Sequence, residues 1–188
     1  VPCGGFFASH ISRLRRLLRE RQIDLQRARE EVHDLRVLDP LTGISNRSAI
    51  IAFLEQESRR AERLGQPLSV LLLDLRQFKR INREFGHRTG DEILREVARR
   101  LRRCVRDIDG LGRYGGEEFL IVLPDTPEED AIRLGGRLSE CIQGQRFSQL
   151  PARQRMRCAM GVSPVRQSDE DIWQVIERAR AESETTEA

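Results

Sequence analysis

Apolar residues early in the chain recur at alternating three- and four-residue steps, at Ile11, Leu14, Leu18, Leu25, Ala28, Val32 and Leu35. The positions between them are densely charged. This is a heptad seam, interrupted at one core position by Arg21, and it predicts a helix over 11–38 of about 40 Å at 1.5 Å rise per residue. Such a helix has no core of its own. It can fold back on the rest of the chain or pair with a second copy, and its wide polar remainder favours a parallel two-stranded stalk, hence a homodimer through this helix. Residues 1–10 then form an N-terminal extension, and Pro40 ends the helix because the residue before a proline is pushed out of helical geometry.

Beyond Pro40 the pattern changes period several times. A helical pattern over 48–63 gives way to an apolar run at 69–75 that reads as a buried strand. Helices are expected around 78–84 and 89–104, a hairpin over 110–123, a helix over 127–142, a strand near 156–165 and a last helix from Asp169. Strands alternating with helices, with one antiparallel hairpin, predict an α/β domain over 39–188 whose helices pack on a mixed sheet.

Composition narrows the class without changing this layout. The 188 residues fit one domain plus an appendage. With 38% hydrophobic and 34% charged residues the chain has enough apolar material for a core, so it reads as globular and not as disordered. Its 33 basic residues barely outnumber 30 acidic ones, which argues against a general nucleic-acid surface and directs attention to local positive sites. Cys3, Cys104, Cys141 and Cys158 lie far apart with no C-x-x-C pair, so neither a zinc site nor a disulfide scaffold is indicated, and a reducing cytoplasm is the expected setting. No apolar run approaches the roughly 18 residues of a membrane span, and Phe6-Phe7-Ala8 is too short for a signal peptide. No direct membrane contact is expected. Because the chain begins at Val1 it reads as a fragment, whose parent could be anchored in the inner membrane upstream.

The candidate chemistry begins where the apolar run Leu71-Leu72-Leu73 meets Asp74, a carboxylate at a strand end, where ligands are usually met. About forty residues on, Gly115-Gly116 suits a tight hairpin turn, and Glu117 and Glu118 stand at its exit. Paired glutamates beside a turn are usually solvated surface. If the Asp74 strand neighbours the hairpin, however, Asp74 and Glu117 can share a hard divalent cation, and Mg²⁺ favours one or two carboxylates plus substrate phosphates. Lys79 is the only lysine in a chain whose other basic residues are arginine, which fits a point-charge contact to phosphate. With Phe78 it opens a helix whose unpaired N–H groups would donate to an anion such as phosphate.

Taken in order, DPLTGISNR, LLLDLRQFKRIN, FGHRTGDEIL, RDID, RYGGEEF and LPDT leading into a helix resemble the GGDEF family of diguanylate cyclases over roughly residues 38–165. A lone GGEEF would be weak; all six in family order and spacing are specific. The resemblance implies a five-stranded sheet surrounded by helices, similar to the palm of nucleotide cyclases and polymerases, and condensation of two GTP into cyclic di-GMP. It assigns Asp74, Glu117 and the main-chain carbonyl of Leu75 to Mg²⁺, with Mn²⁺ as an alternative. Glu118 becomes a second acidic group at the reacting centre, Asn82 and Asp91 read guanine, and Lys79 holds the triphosphate with the main chain of Gln77 and Phe78. Gly115 and Gly116 fall among the GTP-binding positions. Asp39 and Arg113 match a pair that couples the start of the domain to the catalytic hairpin. Arg106 and Asp109 match the family's RxxD product-inhibition site, with Arg137 as a further product-binding arginine.

Two departures stand out. The usual D-x-D strand ending is Asp74-Leu75-Arg76 here, and the metal site is expected to survive because the matching ligands remain. The tail after Arg178-Ala179-Arg180 lacks the family's lysine and arginine, so phosphate affinity is expected to fall. The rival reading is a weakened or inactive domain that senses cyclic di-GMP through Arg106 and Asp109.

Overall fold

A computed structural model describes residues 37–152, 154–166, 169 and 171–185. The expected stalk over 11–38 lies outside the described residues except for Val37 and Leu38, which form a bend and a single bridge to Ser45.

Helix α1 (Arg47–Leu64) begins where the Asn46 side chain accepts from the Ala49 N–H at 2.9 Å, and ends at Gly65, whose φ of 64° suits a residue without Cβ. Strand β1 (Leu68–Arg76) follows, then α2 (Phe78–Phe85) and α3 (His87–Cys104), separated by Gly86 at φ 85°. The hairpin comprises β2 (Gly110–Arg113) and β3 (Glu118–Pro124). Helix α4 (Glu128–Gln143) carries Glu128, Glu129 and Asp130 in its first turn, where negative charge complements the helix dipole. Strand β4 (Arg157–Pro164) and α5 (Ile172–Thr185) complete the fold. Among the described residues no helix is long and apolar enough to cross a membrane.

The sheet corrects the expected topology. Its order is β2-β3-β1-β4 and every neighbouring pair is antiparallel, so it is not the mixed sheet expected from helical crossovers. The crossovers do return the chain to the same end, making β1 parallel to β2 and β3 parallel to β4. Those partners are interleaved rather than adjacent, as in a split βαβ arrangement. Four strands are formed among the described residues where five were expected. At the β2 edge, Ser45 makes only isolated bridges to Leu38 and Gly112, too few to count as a strand.

Strand β1 is central and buried on both faces. Leu71, Leu73 and Leu75 join the core beneath α2, α3 and α4, whereas Leu68, Val70 and Leu72 face α1 and α5. Each fully buried leucine here contributes roughly 1.5–3 kcal/mol relative to exposure. Because side chains alternate along a strand, Asp74 and Arg76 continue the α1/α5 face. Helix α5 lies flush on that face. A Cβ on Gly161 would meet the Ala179 carbonyl oxygen at 1.7 Å, so only glycine admits this approach.

Candidate active site at the end of the central strand

The register of β1 against β3 sets Asp74 opposite Glu118, and the Leu75 N–H donates to the Glu117 carbonyl at 3.2 Å. Pairing therefore brings Asp74, Glu117 and Glu118 to one end of the sheet, which the sequence could state only conditionally. The turn between β2 and β3 is closed by the Tyr114 and Gly115 N–H groups donating to the Glu118 carbonyl at 2.9 and 3.3 Å. Arg113 braces it from outside: Nη2 and Nε donate to the Gly116 carbonyl at 2.8 and 3.2 Å, and Nη1 lies 3.4 Å from Asp39. Asp39 also accepts from the Thr42 N–H and hydroxyl at 2.8 and 2.7 Å. Burial pushes the Asp39 carboxyl up, but the Thr42 hydrogen bonds and the Arg113 charge outweigh it and hold the group below the usual carboxylate range.

Beyond Arg76 the chain turns through Gln77 at φ 59°, an unusual left-handed conformation for a residue with a side chain, and enters α2 without a side-chain cap. Phe78 is buried and Lys79 is exposed. One turn further, Asn82 Oδ1 is buried with no hydrogen-bond partner. It fits under α3 only because residue 90 is glycine: a Cβ there would lie 1.9 Å from Oδ1. Asp91, half-buried, follows on the same helix.

Two cations reach the carboxylates. Arg76 Nη1 lies 3.1 Å from Asp74 Oδ2 while its Nη2 donates to the Ser183 carbonyl at 3.0 Å. Arg180 Nη2 lies 3.0 Å from Glu118 Oε1 and its Nη1 2.9 Å from Glu177. The Tyr114 ring has the Arg47 guanidinium at 4.6 Å and the Arg180 guanidinium at 5.7 Å. Sequence reasoning counted Arg76 as a lost carboxylate and gave Arg180, just before the depleted tail, no role. The period-two alternation of β1 was the available signal for the first; nothing local signalled the second. The donor set suits a hard cation, since Asp74 and Glu117 offer carboxylate oxygens on adjoining chain segments. Among the described residues no three His, Cys, Asp or Glu side chains form a ready cage, and Mg²⁺ usually needs only one or two carboxylates beside substrate phosphates.

A second cluster lies in the turn between α3 and β2. Asp109 Oδ2 accepts from the Arg106 N–H at 2.7 Å, while Oδ1 is buried without a partner. Burial raises the Asp109 pKa, outweighing the Arg106 hydrogen bond and the charges of Arg106 and Arg102. The Arg106 side chain is exposed, as is Arg137 on α4. The Arg137 charge acts on Cys104, at the end of α3 that leads into this turn. The cysteines are not all far apart in space: Cys104 and Cys141 Sγ atoms are 3.0 Å apart, brought together by packing of α3 on α4. Burial and the neighbouring Cys141 push the Cys104 pKa up to about 11.

Comparison with known proteins agrees with this architecture. Response regulator PleD of Caulobacter vibrioides is 42% identical over 129 residues, covering 69% of this chain and 28% of its own length. The chain thus spans less than a third of that relative. Among solved structures, the active GGEEF domain of a diguanylate cyclase from Vibrio cholerae aligns with TM-score 0.68 at 34% identity, covering 72% of this chain and 86% of that one. The GGDEF domain of DgcB from Caulobacter crescentus, solved with c-di-GMP, aligns with TM-score 0.74 at 25% identity over 80% of this chain and 86% of that one. The family description "Diguanylate cyclase, GGDEF domain" matches residues 36–187, and with that the chain belongs to the GGDEF family of diguanylate cyclases.

Proposed function

We propose that this domain condenses two GTP molecules into cyclic di-GMP with release of two pyrophosphates. The observation that carries this reading is Asn82 Oδ1, a buried acceptor with no partner one turn beyond the carboxylate edge and the uncapped start of α2. A buried unpaired acceptor costs about 1–3 kcal/mol, a cost that a guanine N–H would offset. Asp91, on the neighbouring helix, is the second acceptor for guanine N1–H and N2–H₂, donors that adenine does not offer.

In this mechanism Lys79 and the main chain of Gln77 and Phe78 hold the triphosphate, as an open helix start does for anions. Asp74, Glu117 and the Leu75 carbonyl are the groups that would hold Mg²⁺ or Mn²⁺. When bound, such a cation supplies charge neutralisation at the phosphate oxygens. Glu118 is the second acidic group beside the 3′-hydroxyl that attacks the α-phosphorus of the other GTP. Positioning and electrostatics dominate such phosphoryl chemistry. Each domain binds one GTP, so two copies must face each other, and a dimerising helix over 11–38 raises their effective concentration. Product bound at Arg106, Asp109 and Arg137 would hold the copies apart. A cytoplasmic site of action follows from this reading.

The receptor reading draws on the salt bridges of Asp74 with Arg76 and of Glu118 with Arg180, and on the unpartnered Asp109 Oδ1. Incubating the protein with GTP and Mg²⁺ and separating products by chromatography distinguishes the two. Cyclic di-GMP from GTP, and no cyclic product from ATP, is the result expected of the enzyme. Binding of cyclic di-GMP without turnover would favour the receptor.

A further inference from the structure

Two of the three site carboxylates are held by arginines, and neither pair lies loose on the surface, the four side chains being 22% to 32% exposed. Each guanidinium is gripped from two sides. Arg76 spans Asp74 and the Ser183 carbonyl; Arg180 spans Glu118 and Glu177. Arg76 also immediately precedes Gln77, the uncapped start of α2. The tail from Ala181 to Ala188 contains three glutamates and no basic residue. Arg178, the other cation of this stretch, is committed elsewhere, to Asp169 and to the Pro164 carbonyl at 2.8 Å.

Resting on the functional reading above, we propose that Arg76 and Arg180 are triphosphate-binding cations: they neutralise Asp74 and Glu118 before ligands arrive, and Arg76 passes to the phosphates when a divalent cation takes Asp74, Arg180 when the triphosphate itself arrives. A metal ion and a guanidinium compete for the same carboxylate oxygens. A triphosphate then offers the displaced guanidinium a partner that its planar fork fits well. Local pairing supports the exchange: without ligands, Asp74 is matched by Arg76, and Glu118 shares Arg180 with Glu177. A trianionic pocket would repel GTP. The two arginines thus remove the obstacle at rest and supply, from other positions, the positive charge that the tail lacks.

This exchange has a signature in which two affinities move in opposite directions. Removing an arginine that serves only to hold the fold lowers both metal and nucleotide affinity, or neither; removing one that merely blocks the metal raises both. The test uses the full chain, with Mn²⁺ titrated alone and followed by electron paramagnetic resonance. An α,β-methylene GTP analogue is titrated separately by calorimetry at saturating Mg²⁺. Arg76→Ala is expected to tighten Mn²⁺ binding about fivefold, the scale of a partly exposed ion pair. It is expected to weaken analogue binding about tenfold, the scale of a charged hydrogen bond. Arg180→Ala should weaken the analogue similarly. Should an alanine variant fail to fold by circular dichroism, Arg76→Gln and Arg180→Gln carry the same test, keeping a polar group without charge. If the parent binds both probes and the Arg76 variant moves both affinities the same way, or neither, this proposal alone is overturned. A parent that binds neither probe overturns the functional reading and this proposal together.

Discussion

Replacing Gly90 with alanine adds one carbon atom 1.9 Å from Asn82 Oδ1 and 3.1 Å from a Phe78 ring atom. Nonbonded heavy atoms are most stable near 3.5 Å, so the Asn82 amide must retreat by roughly 1.5 Å. The crowded atom is the end of a side chain, which can rotate away. Overpacking costs about 1–3 kcal/mol, and alanine recovers about 1 kcal/mol of helix propensity over glycine, so the fold should survive with a loss of at most about 2 kcal/mol. Base recognition should not survive intact. Losing the proposed Asn82 hydrogen bond to guanine is worth about 1 kcal/mol, or about fivefold in GTP affinity, with little effect on ATP. Calorimetric titration of the GTP analogue and of ATP, beside a thermal melt, measures both parts. Since the two changes share one contact, the Asn82→Ala variant and the Gly90→Ala, Asn82→Ala double variant should bind GTP equally. Equal weakening of GTP and ATP, or a Gly90 effect that persists in full when Asn82 is already alanine, would refute the reasoning.

Glu117→Ala should abolish turnover, because one of the two proposed side-chain metal ligands is removed; near-parental rates at saturating Mg²⁺ would sink the metal assignment. Arg106→Ala should raise the concentration of cyclic di-GMP needed for half inhibition by at least about tenfold, on the scale of a lost charged hydrogen bond, and an unchanged value returns RxxD to plain surface charge. Arg100 is a buried cation that donates to Glu96 at 2.8 Å and to the Arg146 carbonyl at 2.7 Å, with its guanidinium 4.0 Å from the Phe147 ring centre. Arg100→Ala should cost about 3 kcal/mol in urea unfolding, and a loss below about 1 kcal/mol would contradict this account. Burial raises the Glu96 pKa, but Arg100 and Arg99 outweigh it and leave it below the ordinary 4.5. Its stabilisation is therefore present above pH 4.5 and fades below it, and the Arg100 variant should lose part of that acid-side slope. Cys104, with its pKa at about 11, should resist alkylation by iodoacetamide at pH 7.5; rapid labelling of that thiol on peptide mapping would show its environment to be misjudged.

The element boundaries were legible because their causes are local. Val70 to Leu73 is apolar without a break, Gly65 and Gly86 supply positive φ where helices end, and Asn46 caps α1 from three residues away. The candidate carboxylates were legible too, since Asp74 ends an apolar run and Glu117 follows a glycine turn. What sequence left undetermined depends on contacts between distant segments. Helical crossovers fix that β1 runs parallel to β2, but whether β3 and β4 come to lie beside β1 is decided by which faces bury together. That choice turned an expected mixed sheet into an antiparallel one. The same long-range packing seats Arg180 on Glu118 across 62 residues and Arg76 on Ser183 across 107, and draws Cys104 to Cys141 across 37. Composition shows those charges and thiols as isolated side chains. Only the close approach of α5 to β4 at Gly161, and of α3 to α4, makes them neighbours, because a contact's energy depends on distance in space and not on separation along the chain.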